Sequence, residues 1–112
     1  LKKNKIYQKM QEEIIEFQPD VRSFGAVQRK EIVLHNGYVF VFSDVFDFDT
    51  PPFICVDVYD NRRIPCQYVC VIDGGWLKSL TWTFNSVTVI SNTGKVSRLY
   101  IDEEFVLHKD NT

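Results

Sequence analysis

Five acidic side chains and no basic one fall between Ser43 and Asp60: Asp44, Asp47, Asp49, Asp57 and Asp60. Carboxylates gathered in this way can hold a hard cation or meet a basic surface. On an extended strand Asp47 and Asp49 share a face about 6.8 Å apart, and Asp57 returns on the next strand beyond Pro51-Pro52. A Ca²⁺ or Mg²⁺ site needs about six or more oxygen ligands, and the EF-hand spacing with its glycine is absent, so neither metal nor cofactor is expected. The acids read better as a recognition strip for another protein. A basic partner surface of the kind that otherwise meets nucleic acid fits them, because a row of carboxylates resembles a row of phosphates. The expected partner-binding residues are Asp44, Asp47, Asp49, Asp57, Tyr59 and Asp60, with Phe48 as an apolar anchor ringed by polar contacts. The competing use of such acids is to guard a strand edge against aggregation beside Phe46, Phe48 and Phe53.

Other reactive side chains are sparse. Arg62-Arg63 sits at a turn tip, where two guanidinium groups can grip phosphate, but Asp60 lies alongside and the formal charge is −2, so direct nucleic-acid binding is not expected. Cys66 and Cys70, four apart on a strand, fit neither a CxxC redox pair nor a zinc knuckle, and together with Cys55 they read as small buried hydrophobes. His35 and His108 would need a long-range contact to activate any of these thiols. The sequence contains no GxGxxG, Walker loop, GxSxG elbow or HExxH, and Asp73-Gly74-Gly75 precedes a strand pattern where a phosphate cradle needs a helix. No catalytic residue is expected.

The elements that must position these groups follow from periodicity. Ile6, Tyr7, Met10, Ile14 and Phe17 recur three or four apart, which predicts an amphipathic helix over about 3–17, ended by Pro19. From there to about residue 107 the pattern is β: Arg29–His35, Tyr38–Phe46, Phe53–Tyr59, Pro65–Ile72, Trp76–Phe84, Ser86–Ser91 and Lys95–Ile101. Asn36-Gly37 predicts a two-residue type I′ hairpin turn. Linkers are too short for parallel crossovers, so the expected fold class is α+β: one N-terminal helix followed by a mainly antiparallel, curved β-meander of six to seven strands. Tyr38–Phe42 and Cys66–Ile72, apolar on both faces, should be central strands. Their second cover would be sheet curvature, another layer or a partner subunit. Trp76, Leu80 and Trp82 share a face that could serve self-association.

At 112 residues the chain fits a single domain with one core, and 45% hydrophobic, 14% aromatic and 25% charged residues place it among globular proteins. A sequence pI near 5.6 removes any global attraction to nucleic acid or anionic membrane. No apolar run approaches the roughly 20 residues that span a bilayer. An odd cysteine count and a charged opening segment lead to the expectation of a reduced, cytoplasmic setting. Ala26 is the one alanine, a bias that points to an AT-rich bacterial or phage genome. The expected function is a small non-enzymatic protein-binding module, an inhibitor or accessory factor using an acidic and aromatic sheet surface. The alternatives are a self-associating assembly component and a small ligand-binding barrel or enzyme.

Overall fold

The computed structural model describes residues 13–16, 28–45 and 51–111, and these form nine strands and no helix. In chain order they are β1 (Glu13–Glu16), β2 (Arg29–Val33), β3 (Val39–Val45), β4 (Phe53–Tyr59), β5 (Pro65–Asp73), β6 (Leu77–Trp82), β7 (Ser86–Ser91), β8 (Val96–Ile101) and β9 (Leu107–Asn111). The strands divide into a five-stranded sheet, β1-β6-β7-β8-β9, and a four-stranded sheet, β2-β3-β4-β5, in which every pairing is antiparallel.

The expected α+β class is therefore corrected to all-β. Glu13–Glu16, assigned above to the helix, is a strand paired with β6, Glu13 opposite Trp82 and Glu16 opposite Ser79. Two adjacent β-branched residues, Ile14 and Ile15, favour extended backbone, and the free edge of β6 supplies hydrogen-bond partners that an isolated helix pattern does not reveal. The remainder of the predicted helix lies outside the described residues. The single meander becomes two layers because the chain changes sheets after β5, where Gly74 (φ 78°) and Gly75 (φ 140°) turn the backbone and the Gly75 N–H donates to the Pro52 carbonyl at 2.9 Å.

The core fills the space between the layers. The four-stranded sheet contributes Ile32, Phe40, Phe42, Ile54, Val56, Val58 and Ile72, and the five-stranded sheet Leu77, Leu80, Val87, Val89, Leu99 and Ile101. Phe40 and Phe42, two residues apart on one face of β3, meet edge to face with centroids 6.0 Å apart. Burying each ring contributes about 1.5–3 kcal/mol. The second layer is thus the cover that the two-sided strand β3 requires. It also encloses Leu80 completely and packs against Trp82, whereas Leu77 turns inward and a register shift between Leu77 and Ser79 takes Trp76 off the face expected to join it to Leu80 and Trp82.

One carboxylate crosses this interior. Asp44, on the core face of β3 opposite Ile54, is 0% exposed and accepts from the backbone N–H of Leu77 at 2.8 Å, the backbone N–H of Gln28 at 2.9 Å and Gln28 Nε2 at 2.7 Å. Gln28 Nε2 also donates to the Leu77 carbonyl at 3.0 Å. The start of β6 is thereby fastened to β3 of the other sheet.

Four hairpins end in one five-residue turn, Leu34–Tyr38, Asp60–Ile64, Ser91–Lys95 and Asp102–Val106. In each, the first N–H donates to the fifth carbonyl and the fourth N–H to the first carbonyl, at 2.8–3.0 Å. The fourth residue has positive φ: Gly37 (89°), Arg63 (63°), Gly94 (88°) and Phe105 (63°). The predicted type I′ turn is corrected accordingly. The loop is His35-Asn36-Gly37, three residues, with Gly37 alone in the left-handed region, and Asn36 instead accepts the Tyr38 N–H through Oδ1 at 3.0 Å. At the glycine-free tips a carboxylate offsets the strain. Asp60 Oδ1 takes the N–H groups of Arg62 and Ile64, and Asp102 Oδ1 those of Glu104 and Val106.

Asp44→Ala should lower the unfolding free energy by about 3 kcal/mol, since it strands buried N–H donors that a charged acceptor satisfied, and a urea midpoint measures the loss. Gly37→Ala and Gly94→Ala share the cost of about 1 kcal/mol for a side chain at positive φ. A Cβ at Gly37 would also lie 2.9 Å from Asn61 Cβ, whereas one at Gly94 meets nothing within 4 Å, so Gly37→Ala should be the more destabilising in the same measurement.

Candidate functional site

The strand register decides where the expected site residues go. Alternation along β4 sends Ile54, Val56 and Val58 into the core and Cys55, Asp57 and Tyr59 to the outer face. Asp57 stands opposite Val41 on β3 and Tyr68 on β5. Asp44 lies on the inner face, turned into the core, and its carboxylate is engaged within the chain. Asp60 holds the β4–β5 turn. Asp47, Phe48 and Asp49 lie outside the described residues. Asp57 is four residues along β4 from Phe53, about 13 Å from the strand end that follows the 46–52 connection. No group of three or more metal-ligating side chains occurs among the described residues.

Two of the expected residues do come together. Asp57 and Tyr59 line a hollow of about 250 Å³ with Val58, Pro65, Cys66, Gln67 and Tyr68. Asp57 is half-buried and makes no hydrogen bond or ion pair among the described residues, while Tyr68 on the neighbouring strand is 60% exposed. A partly desolvated carboxylate between two phenol-bearing residues is a seat for an ammonium or guanidinium group, which the charge attracts and the ring faces accommodate. The cations nearest in sequence are engaged elsewhere: Arg63 Nη1 lies 2.7 Å from Glu31 Oε1, and Arg62 Nη2 lies 3.7 Å from Asp60 Oδ2.

Behind the hollow, the Cys55 thiol donates to the Ser43 carbonyl at 3.6 Å. The neighbouring Cys55 thiol, reinforced by burial and by the negative charge of Asp57, pushes the Tyr68 phenol up to about 12. Tyr68 therefore remains a protonated donor at neutral pH. Burial likewise pushes the Cys55 thiol up, against the opposing effect of Tyr68.

The strand carrying Tyr68 was expected to be central and is instead an edge. β5 pairs with β4 alone, and Cys66 and Cys70, read above as buried, are exposed; Cys55 is the buried cysteine. Three of the four sheet edges carry charge: Glu13 and Glu16 on β1, Arg29, Lys30 and Glu31 on β2, Lys109 and Asp110 on β9. From Ile64 to Ile72 the β5 edge carries none. Its distal half is covered from the other sheet, where Lys109 Nζ donates to the Cys70 carbonyl at 3.1 Å and Lys95 Nζ to the Asp73 carbonyl at 2.7 Å. The stretch Pro65–Val69 receives no such cap among the described residues.

Tyr68, Gln67 and Cys66 were missed as site residues. The available signal was the match of Asp57 to Tyr68 across the Asp60–Ile64 turn, which counting outward from the turn brings within one residue. A second constellation was also missed: His108 Nε2 lies 2.6 Å from Asp102 Oδ2 and the His108 ring stacks on Tyr100 at 4.8 Å. Among the described residues that imidazole contacts Asp102 and Tyr100, and it braces the β8–β9 turn.

The chain matches no family model, and neither curated proteins nor solved structures show a significant match to it. No helix among the described residues is long and apolar enough to cross a membrane.

The turn carboxylates define a pH response. His108, then the Val106 and Glu104 N–H groups, hold the Asp102 carboxyl below its ordinary 3.8, and the Ile64 and Arg62 N–H groups do the same for Asp60. Each binds fewer protons folded than unfolded, so its contribution is present above pH 3.8 and lost as pH falls through the lower folded value. Asp60→Asn combined with Asp102→Asn should flatten the acid side of the thermal midpoint against pH, followed from about pH 5 to pH 2 by circular dichroism.

Proposed function

We propose that this chain is a non-enzymatic protein-binding module that receives a basic side chain of its partner in the hollow between β4 and β5. The observation that carries the reading is Asp57, a half-buried carboxylate without an ion-pair partner among the described residues, placed between Tyr59 and Tyr68 beside an uncharged strand edge. A lone ammonium or guanidinium entering from a partner completes the charge pairing, and the tyrosines supply the rigid contact area typical of residues that dominate interfaces. An inhibitor or accessory factor working in the cytoplasm suits three free thiols.

Self-association has one feature in its favour, the uncharged Pro65–Val69 edge, which a strand of a second copy could extend. Sedimentation distinguishes the two: a monomer at all concentrations removes assembly and leaves hetero-binding.

The partner reading is tested by affinity capture from the native host with the wild-type chain, Asp57→Ala, Tyr68→Ala and, on the opposite sheet, Lys78→Ala. A protein held by wild type and Lys78→Ala should be retained at least about tenfold less by the other two, a loss of about 1.4 kcal/mol each. It should also be released by salt. Equal retention by all four chains, or none by the wild type, overturns the assignment.

A further inference from the structure

We propose that Cys55 and Cys70 are a thiol pair that closes to a reversible cross-strand disulfide, a covalent modification site on the outer face of the four-stranded sheet. The two are register partners on adjacent antiparallel strands. Side chains directly opposite one another have Cβ atoms about 4.5–5.5 Å apart, closest where the pair does not exchange backbone hydrogen bonds. Cys70 is of that type, since its carbonyl turns away from β4 to the Lys109 ammonium. A disulfide needs Cα atoms about 4.4–6.8 Å apart, the separation that such partners already have. Alternation along β4 places Cys55 outward, and exposure places Cys70 there too.

The third thiol is set apart. The register slips between Val58 and Tyr59, Val58 facing Gln67 and Tyr59 facing Pro65, so Cys66 has no partner on β4. Cys55 and Cys70 are the matched pair.

Their environments assign an order to the reaction. Cys70 is exposed and Cys55 is 4% exposed, with burial pushing its thiol up. The Cys70 thiolate therefore attacks a low-molecular-weight disulfide such as oxidised glutathione. A Cys70–glutathione bond forms and one glutathione leaves, taking up a proton. Cys55 then loses its proton to solvent and attacks the Cys70 sulfur, its register partner. The Cys55–Cys70 bond forms and the second glutathione leaves. Two protein thiols are oxidised and one disulfide is reduced to two thiols.

The proposal is independent of the partner reading, and its test needs no partner. The folded wild-type chain is incubated with excess oxidised glutathione at neutral pH, quenched in acid and digested with trypsin without reduction. Cleavage after Arg62 and Arg63 leaves Cys55 on one peptide and Cys66 with Cys70 on another, so the new bond is read as a linked pair with the loss of two hydrogens. Cys66→Ser should retain that linked pair, and Cys55→Ser should stop at a stable glutathione adduct on Cys70, with circular dichroism confirming both sheets. Persistence of the adduct in Cys66→Ser, a Cys66–Cys70 loop in the wild type, or three thiols that stay reduced would each overturn it.

Discussion

A single buried carboxylate ties the two layers together. Asp44 brings a carboxyl group into a region otherwise made of Phe, Leu, Ile and Val, where main-chain donors from two separated segments and the Gln28 amide converge on it. Apolar packing alone allows two sheets to slide over one another. A directional acceptor aimed at the Leu77 N–H does not, so Asp44 supplies register where the hydrophobic core supplies affinity. The strand order after Gly75 follows from that anchor, because β6 enters the second layer at Leu77 and the β6–β9 meander builds outward from it.

The same two-layer arrangement explains why the outer face around β5 is available. A sandwich buries one face of each sheet and leaves two edges per sheet to be managed. Acids and bases guard three of them here. On the fourth, lysines reach over from the β7–β8 turn and from β9 to occupy carbonyls at Asp73 and Cys70, which protects the distal half and leaves Pro65–Val69 bare among the described residues. Pro65 lacks an N–H and so weakens the edge as a template without closing it. The hollow beside Asp57 lies at this bare end, under the Asp60–Ile64 turn.

Much of the β architecture was legible. Phe53–Tyr59 and Ser86–Ser91 have the bounds read from periodicity alone, and each other β segment read from the pattern overlaps a strand. The turn chemistry was also visible in kind, since Gly37, Gly94 and the aspartates of the other tips lie where chain reversal occurs. The length of the Asn36-Gly37 loop was not, because a dipeptide does not state whether its asparagine adopts positive φ or caps the turn. Residues 13–16 misled because Ile14 satisfies a helical spacing, while the decisive fact, an unpaired edge on β6 some sixty-five residues later, is not local. In the acidic segment, charge counting could not separate Asp44, which is interior, from Asp57, which is outside; strand parity could have, as 44 faces 54 and 57 faces 41.

The misreading of β5 has a more instructive origin. Cys66 to Ile72 is apolar at every position but one, Gln67, which period-two logic takes as burial on both faces. The register slips between Ile54 and Cys55, so that Ile72 faces Ile54 while Cys70 faces Cys55, with Val71 left over. An extra residue in one strand exchanges the faces beyond it. Without it, Ile72 would share the outer face with Tyr68 and Cys70; with it, Val71 and Ile72 both turn inward, and the outer face keeps Tyr68 and Cys70 against Asp57 and Cys55. The bulge is thus what places a thiol opposite a thiol and a phenol opposite a carboxylate on the outer face of one sheet. A strand that alternated without interruption would have met the core's demand for apolar volume only by surrendering that surface.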